Sequence, residues 1–155
     1  MNETVLGRLI RYVKIDTQSL EGSSTYPSTE KQLELSKLLS EELKQVGLAD
    51  ATLDQWGIVM ATLPGNVPMT HPAFGRVPAI GFIAHVDTSP SASGANVKPQ
   101  VIRYAGGDIV LPGDHAVIIK ESENPELAKY VGETIVTTDG TPSSGPTIRQ
   151  ALPLS

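Results

Sequence analysis

The chain has 155 residues, of which 39% are hydrophobic and 19% are charged, and a formal net charge of −5, a composition typical of a globular domain. It has no cysteine, which excludes disulfides and thiolate metal sites, and its acidic balance argues against nucleic-acid or anionic-membrane partners. There is no run of 18 apolar residues and no secretory signal at the start, so we expect a cytoplasmic protein that does not span a membrane.

Two helices are predicted at the beginning of the chain. Apolar residues recur at helical spacing over residues 3–13, with Asn2 as a candidate N-cap. A polar loop follows, and Ser28 or Thr29 is the candidate cap of a second helix that ends at Gly47. The spacing predicts that this helix buries one face, made of Leu35, Leu38, Leu39, Leu43 and Val46.

Strands and loops are predicted in the rest of the chain. Residues 51–53 and 58–63 are short strand-like runs, followed by a Gly/Pro/His loop over residues 65–78. Residues 79–84 are apolar on both faces, which predicts a central buried strand. Two further strands are predicted at residues 117–120 and 134–138. This order predicts an α/β fold with a mixed sheet and flanking helices.

The predicted buried strand leads directly into His85 and Asp87, which are two residues apart and therefore project from the same face of an extended chain. Imidazole is a common zinc ligand, and a nearby carboxylate commonly orients the ring. Taken alone, the pair is also compatible with a hydrogen-bonded structural contact at the end of a strand. His71 and His115 are interpreted as solvated loop residues, and Asp108 as a turn residue.

The segment Gly-Phe-Ile-Ala-His-Val-Asp-Thr-Ser at residues 81–89 resembles the first metal-binding segment of the peptidase T family, which belongs to the co-catalytic zinc aminopeptidases and carboxypeptidases. Further matching segments occur in order over residues 1–140, at residues 16–19, 27–30, 60–64, 106–109 and 137–140. The resemblance implies an enzyme that uses two zinc ions to release the N-terminal residue of tripeptides. It also implies that His85 is a zinc ligand and Asp87 the catalytic aspartate, and it implies no other cofactor and no assigned substrate-binding residue.

The resemblance stops after Gly140. The family continues there with Leu-Gly-Ala-Asp-Asp-Lys-Ala-Gly, whose first aspartate bridges the zinc ions, whereas residues 141–155 contain no acidic residue. One permitted set of codons for residues 141–155, read from the third base, encodes that missing motif. We therefore expect residues 1–140 to be the N-terminal part of an incomplete zinc-peptidase catalytic domain and residues 141–155 to be an out-of-frame tail.

Because the resemblance ends after Gly140, three hypotheses remain for the function of the chain. The first is an inactive, truncated aminopeptidase, since a catalytic zinc needs three protein ligands and His85 is one; a homodimer is then expected only of a complete chain. The second is a non-catalytic fragment that binds a metal or a partner weakly. The third is an unrelated α/β binding domain, which would leave the ordered matches as coincidences.

Overall fold

A computed structural model describes residues 3–91 and 93–141, together with the backbone of a short strand at residues 152–153. Two α-helices come first, α1 at Val5–Tyr12 and α2 at Gln32–Gln45. The strands are β1 Thr52–Leu53, β2 Val59–Met60, β3 Pro99–Arg103, β4 Ile109–Val110, β5 Ile118–Ile119, β6 Thr134–Thr138 and β7 Leu152–Pro153. Two 3₁₀ helices, Glu121–Glu123 and Pro125–Tyr130, lie between β5 and β6. Apart from Thr141 and β7, the predicted tail lies outside the described residues.

The strands in the described part of the chain form three small sheets. β1 pairs with β2, β4 pairs with β5, and β6 lies between β3 and β7. All of these ladders are antiparallel, and within the described residues parallel pairing is limited to an isolated bridge between Gln18 and Thr88. The predicted combination of helices and strands is therefore confirmed, but the described sheets are not mixed. None of the helices in the described ranges is long and apolar enough to cross a membrane.

Helix α1 begins later than predicted. Its N-cap is Thr4, whose backbone is extended and whose Oγ1 accepts a hydrogen bond from the Gly7 amide at 3.1 Å. The prediction of Asn2 as the cap is therefore wrong. Threonine satisfies an unpaired amide of the first turn in the same way as asparagine, so residue type alone does not distinguish Thr4 from Asn2.

Helix α2 also begins later than predicted, at Gln32, because the two candidate caps are used elsewhere. Ser28 Oγ accepts hydrogen bonds from the Leu20 amide and from Gln32 Nε2, and Thr29 Oγ1 donates to the Gln18 carbonyl oxygen at 2.8 Å. These hydroxyl groups fix the preceding loop against the helix instead of capping it.

The end of α2 confirms the prediction at Gly47. This glycine has a φ of 103°, and its amide donates to the Lys44 carbonyl oxygen while the Leu48 amide donates to the Leu43 carbonyl oxygen. The two bonds form a Schellman motif, which satisfies carbonyl groups of the last turn and requires a left-handed residue.

The buried face of α2 is more polar than predicted. Leu35 is buried as expected, but Val46 is exposed, and Leu38, Leu39 and Leu43 are only partly buried. The other buried positions of the helix are Gln32, Ser36, Ser40 and Glu42. Ser36 Oγ donates to the Gly57 carbonyl oxygen between β1 and β2 at 2.9 Å, and the Glu42 carboxylate is paired with Arg11 and Tyr12 of α1. Polar contacts with both neighbours therefore replace part of the predicted apolar face.

The hydrophobic core lies in the second half of the chain, around β6. Its main cluster among the described residues has six buried members: Tyr104, Ile109, Leu111, Ile119, Leu127 and Ile135. The strand predicted at residues 134–138 is confirmed with the same bounds, and the strand predicted at residues 117–120 is confirmed at Ile118–Ile119.

The prediction of a central buried strand at residues 79–84 is wrong for this chain. The segment is not in a strand, and its side chains are open to solvent, with Ile80 76%, Phe82 95% and Ile83 100% exposed. A central strand needs hydrogen-bonding neighbours on both edges, and the described strands pair with one another elsewhere. The apolar pattern indicates that the segment tends to be buried, but it does not show whether neighbouring strands are present to pair with it.

A buried tyrosine links the core to the loop before β4. The Tyr104 hydroxyl donates to Glu121 Oε2 at 2.7 Å, and the same carboxylate oxygen accepts from the Gly107 amide. Asp108 Oδ1 in turn accepts from the Glu121 amide at 3.0 Å, so its carboxylate contacts the first 3₁₀ helix rather than its own turn. Burial and the Glu121 carboxylate raise the pKa of Tyr104 to about 12.

Tyr104 gives a testable pH dependence. Its pKa is higher in the folded protein than the value of about 10 expected in the unfolded chain, so the folded state holds the proton more tightly. This contribution to stability is complete below about pH 10 and is lost as the pH rises towards about 12. Glu121→Gln is expected to lower the pKa of Tyr104 without restoring the ordinary value, because burial remains. Ultraviolet titration of the phenolate, with Tyr104→Phe to isolate the signal, measures the change; an unaltered titration in Glu121→Gln would contradict it.

Candidate metal site at His85 and Asp87

The predicted site residues lie in a segment without regular secondary structure, which is fixed by the loop before α2. The Thr88 amide donates to the Thr17 carbonyl oxygen at 3.1 Å, and the Thr88 carbonyl oxygen accepts from both the amide and the hydroxyl of Ser19, each at 2.9 Å. Gln18 Nε2 also donates to the Pro90 carbonyl oxygen. The segment is therefore anchored at Thr88, immediately after Asp87, and not by a preceding strand as the sequence had predicted.

His85 and Asp87 are in direct contact. The Nδ1 atom of His85 lies 2.9 Å from the Asp87 carbonyl oxygen and 3.2 Å from Asp87 Oδ1. A carbonyl oxygen and an ionised carboxylate can only accept, so Nδ1 carries the proton and Nε2 carries the lone pair of the neutral ring. The imidazole is 84% exposed, and no described residue makes a hydrogen bond to Nε2. This is the arrangement of a histidine that can bind a metal through Nε2 while a carboxylate orients the ring.

A second group of polar residues supports the anchoring loop. Asp16 Oδ1 accepts from the Gln18 amide at 3.0 Å, and Asp16 Oδ2 lies 2.9 Å from Lys31 Nζ at the start of α2. Burial alone would raise the pKa of Asp16, but the Lys31 ammonium and the Gln18 amide together hold it below its usual value. Reasoning from the sequence noted residues 16–19 only as a matching segment and did not single out Lys31.

The described residues offer a single protein ligand here rather than a complete metal centre. Within residues 3–91 and 93–141 there is no group of three or more His, Cys, Asp or Glu side chains placed to hold a metal ion. His71 Nδ1 accepts from the Ala73 amide in its own turn, and His115 is exposed in a different turn, in agreement with their interpretation as loop residues. The donor set at His85 and Asp87 fits one zinc ligand with its orienting carboxylate.

Several curated proteins that are similar to the chain carry the name peptidase T. The peptidase T of Halothermothrix orenii is 53% identical over 138 residues, which make up 88% of this chain and 32% of the relative. Those of Clostridium acetobutylicum and Geobacillus kaustophilus are each 50% identical, over 139 and 142 residues, or 33% of either relative. The chain is therefore a homologue of part of peptidase T, and it spans about a third of the length of the curated relatives it matches. No protein-family model matches the chain.

Proposed function

We propose that the chain is part of the catalytic domain of a zinc-dependent aminopeptidase that releases the N-terminal residue of tripeptides in the cytoplasm. The observation that carries the proposal is the His85 ring, which is exposed, fixed at Nδ1 by Asp87 and open at Nε2. The similarity to proteins named peptidase T supports a peptidase, and the tripeptide substrate follows from that similarity.

In this proposal each of the two residues has a distinct role. His85 is one ligand of a zinc centre that holds two ions in the complete enzyme. Asp87 keeps the imidazole in the tautomer with a free Nε2 and limits its rotation. Zinc, when bound, polarises the scissile carbonyl and activates water. The remaining ligands, and any homodimer contact, belong to the complete enzyme.

A weak metal-binding chain without peptidase activity is the second candidate. It is favoured by one observation, the lack of a three-ligand group among residues 3–91 and 93–141. A catalytic zinc site has three protein ligands and one open position, whereas a single exposed imidazole can bind a metal weakly without catalysis.

Zinc titration of the 155-residue chain tests the role of His85. The chain has three histidines, so long-range ¹H–¹⁵N spectra resolve their ring nitrogens individually. We expect a saturable shift of His85 Nε2, with much smaller changes at His71 and His115. His85→Ala should remove the saturable component, and Asp87→Asn should weaken it by about 10-fold to 100-fold. His71→Ala is the matched control, and an equal response at all three rings would count against a site at His85.

A further inference from the structure

One peptide unit connects the anchoring loop with the imidazole. The amide of the Asp87–Thr88 peptide donates to the Thr17 carbonyl oxygen at 3.1 Å, and the carbonyl oxygen of the same peptide lies 2.9 Å from His85 Nδ1. The two groups lie in one plane, so fixing the direction of the amide also fixes the direction of the carbonyl group. The position of the Thr17 carbonyl therefore determines where the acceptor for His85 points.

The loop that provides this carbonyl is held by an ion pair at the start of α2. Asp16 uses one carboxylate oxygen for the Gln18 amide and the other for Lys31 Nζ, which also lies 3.3 Å from Gln18 Oε1. Lys31 is the N-cap residue of α2, where the helix dipole disfavours a cation and no side-chain cap is made. The contact with Asp16 accounts for a lysine at this unfavourable position.

Gly94 lies next to Asp16 and Thr88, where there is little room for a side chain. A Cβ atom added to Gly94 would lie 2.8 Å from Asp16 Oδ1 and 3.2 Å from Thr88 Oγ1. The first distance is shorter than van der Waals contact allows, so a side chain at residue 94 would displace Asp16, Thr88 or both. The backbone of Gly94 is outside the left-handed region, so the requirement for glycine here comes from space and not from conformation.

We infer that Asp16, Lys31 and Gly94 form a positioning cluster that acts through the Asp87–Thr88 peptide to hold His85 in the tautomer with a free Nε2. The inference rests on the proposed function in treating His85 as a zinc ligand, but the cluster itself does not touch the metal. Its residues are positioning residues, since their contacts are with the loop and with Thr88.

The ring tautomer is the readout that separates positioning from general stabilisation. Long-range ¹H–¹⁵N spectra at a pH where the imidazoles are neutral should show a proton on Nδ1 of His85 in the unaltered chain. Gly94→Ala and Asp16→Asn should each shift His85 towards a mixture of the two tautomers and weaken zinc binding at this residue by about 10-fold, the lower end of the range for groups outside the ligand shell. Ser19→Ala, which removes one of two hydrogen bonds to the Thr88 carbonyl oxygen, is a milder variant with the same expected direction.

Two matched controls and two separate outcomes make the result decisive. Gly65→Ala places a Cβ in open space, and Lys44→Met removes an exposed ion pair with Glu41 in the last turn of α2, so neither should change the His85 tautomer. An unchanged tautomer in Gly94→Ala, Asp16→Asn and Ser19→Ala would overturn the positioning role and leave the zinc role intact. Altered tautomers together with no zinc response in the unaltered chain would support positioning and overturn the proposed function.

Discussion

A chimera in which the 138 matching residues of this chain replace their counterparts in Halothermothrix orenii peptidase T is expected to hydrolyse tripeptides, whereas the zinc-loaded 155-residue chain is not. The two sequences are 53% identical over that stretch, so the relative should supply compatible neighbours. The chain alone offers His85 as one candidate zinc ligand among its described residues and no group of three. Because a catalytic zinc needs three protein ligands, the activity should depend on the added part.

The same chimera measures the contribution of His85. Outer-shell partners of a metal ligand are typically worth about 10-fold to 100-fold in affinity or activity, so loss of the ligand itself in His85→Ala should lower kcat/KM by more than about 100-fold. His71→Ala and His115→Ala are the controls, because these exposed loop histidines should leave the rate unchanged within a factor of about two. Turnover by the 155-residue chain that is abolished by His85→Ala would contradict the prediction, as would a fully active His85→Ala chimera.

The elements that the sequence predicts well are those whose signals are local. The Schellman ending of α2 at Gly47 depends on a residue that tolerates a positive φ, and β6 is a run of β-branched residues, which favour strands. The contact between His85 and Asp87 is also local, since residues two apart in extended chain share a face. In each case the residues that determine the outcome are close together in the sequence.

The features that the sequence does not reveal depend on distant partners. Ser28 and Thr29 are residue types that commonly cap helices. Here the Ser28 hydroxyl accepts a hydrogen bond from the Gln32 side chain, and the Thr29 hydroxyl donates one to the Gln18 carbonyl oxygen. Lys31 is unremarkable until the fold brings Asp16 to within 2.9 Å of it. Strand β3, at Pro99–Arg103, was missed because its initial proline and polar residues weaken the strand pattern, and it forms by pairing with β6.

The exposed segment at residues 79–84 leads to the last prediction, in which one pair of substitutions has opposite effects in two contexts. Phe82 and Ile83 are 95% and 100% exposed in this chain, so exposed apolar surface should drive self-association there. In the chimera we expect the added part to cover these side chains, whose burial is worth about 1.5–3 kcal/mol each. Phe82→Ser with Ile83→Ser should therefore reduce self-association of the 155-residue chain and lower the free energy of unfolding of the chimera by about 3–6 kcal/mol, a large part of a typical total.

Sedimentation of the 155-residue chain and denaturant unfolding of the chimera measure the two effects. The matched control is Leu63→Ser with Met69→Ser, which removes two comparably exposed apolar side chains, 81% and 82% exposed, from the neighbouring loop. We expect this control to change the stability of the chimera by less than about 1 kcal/mol, because isolated exposed apolar residues contribute little to folding. Equal destabilisation of the chimera by both pairs would show that residues 82 and 83 are not specifically covered. A monomeric unaltered chain at high concentration would show that the exposed segment does not drive association.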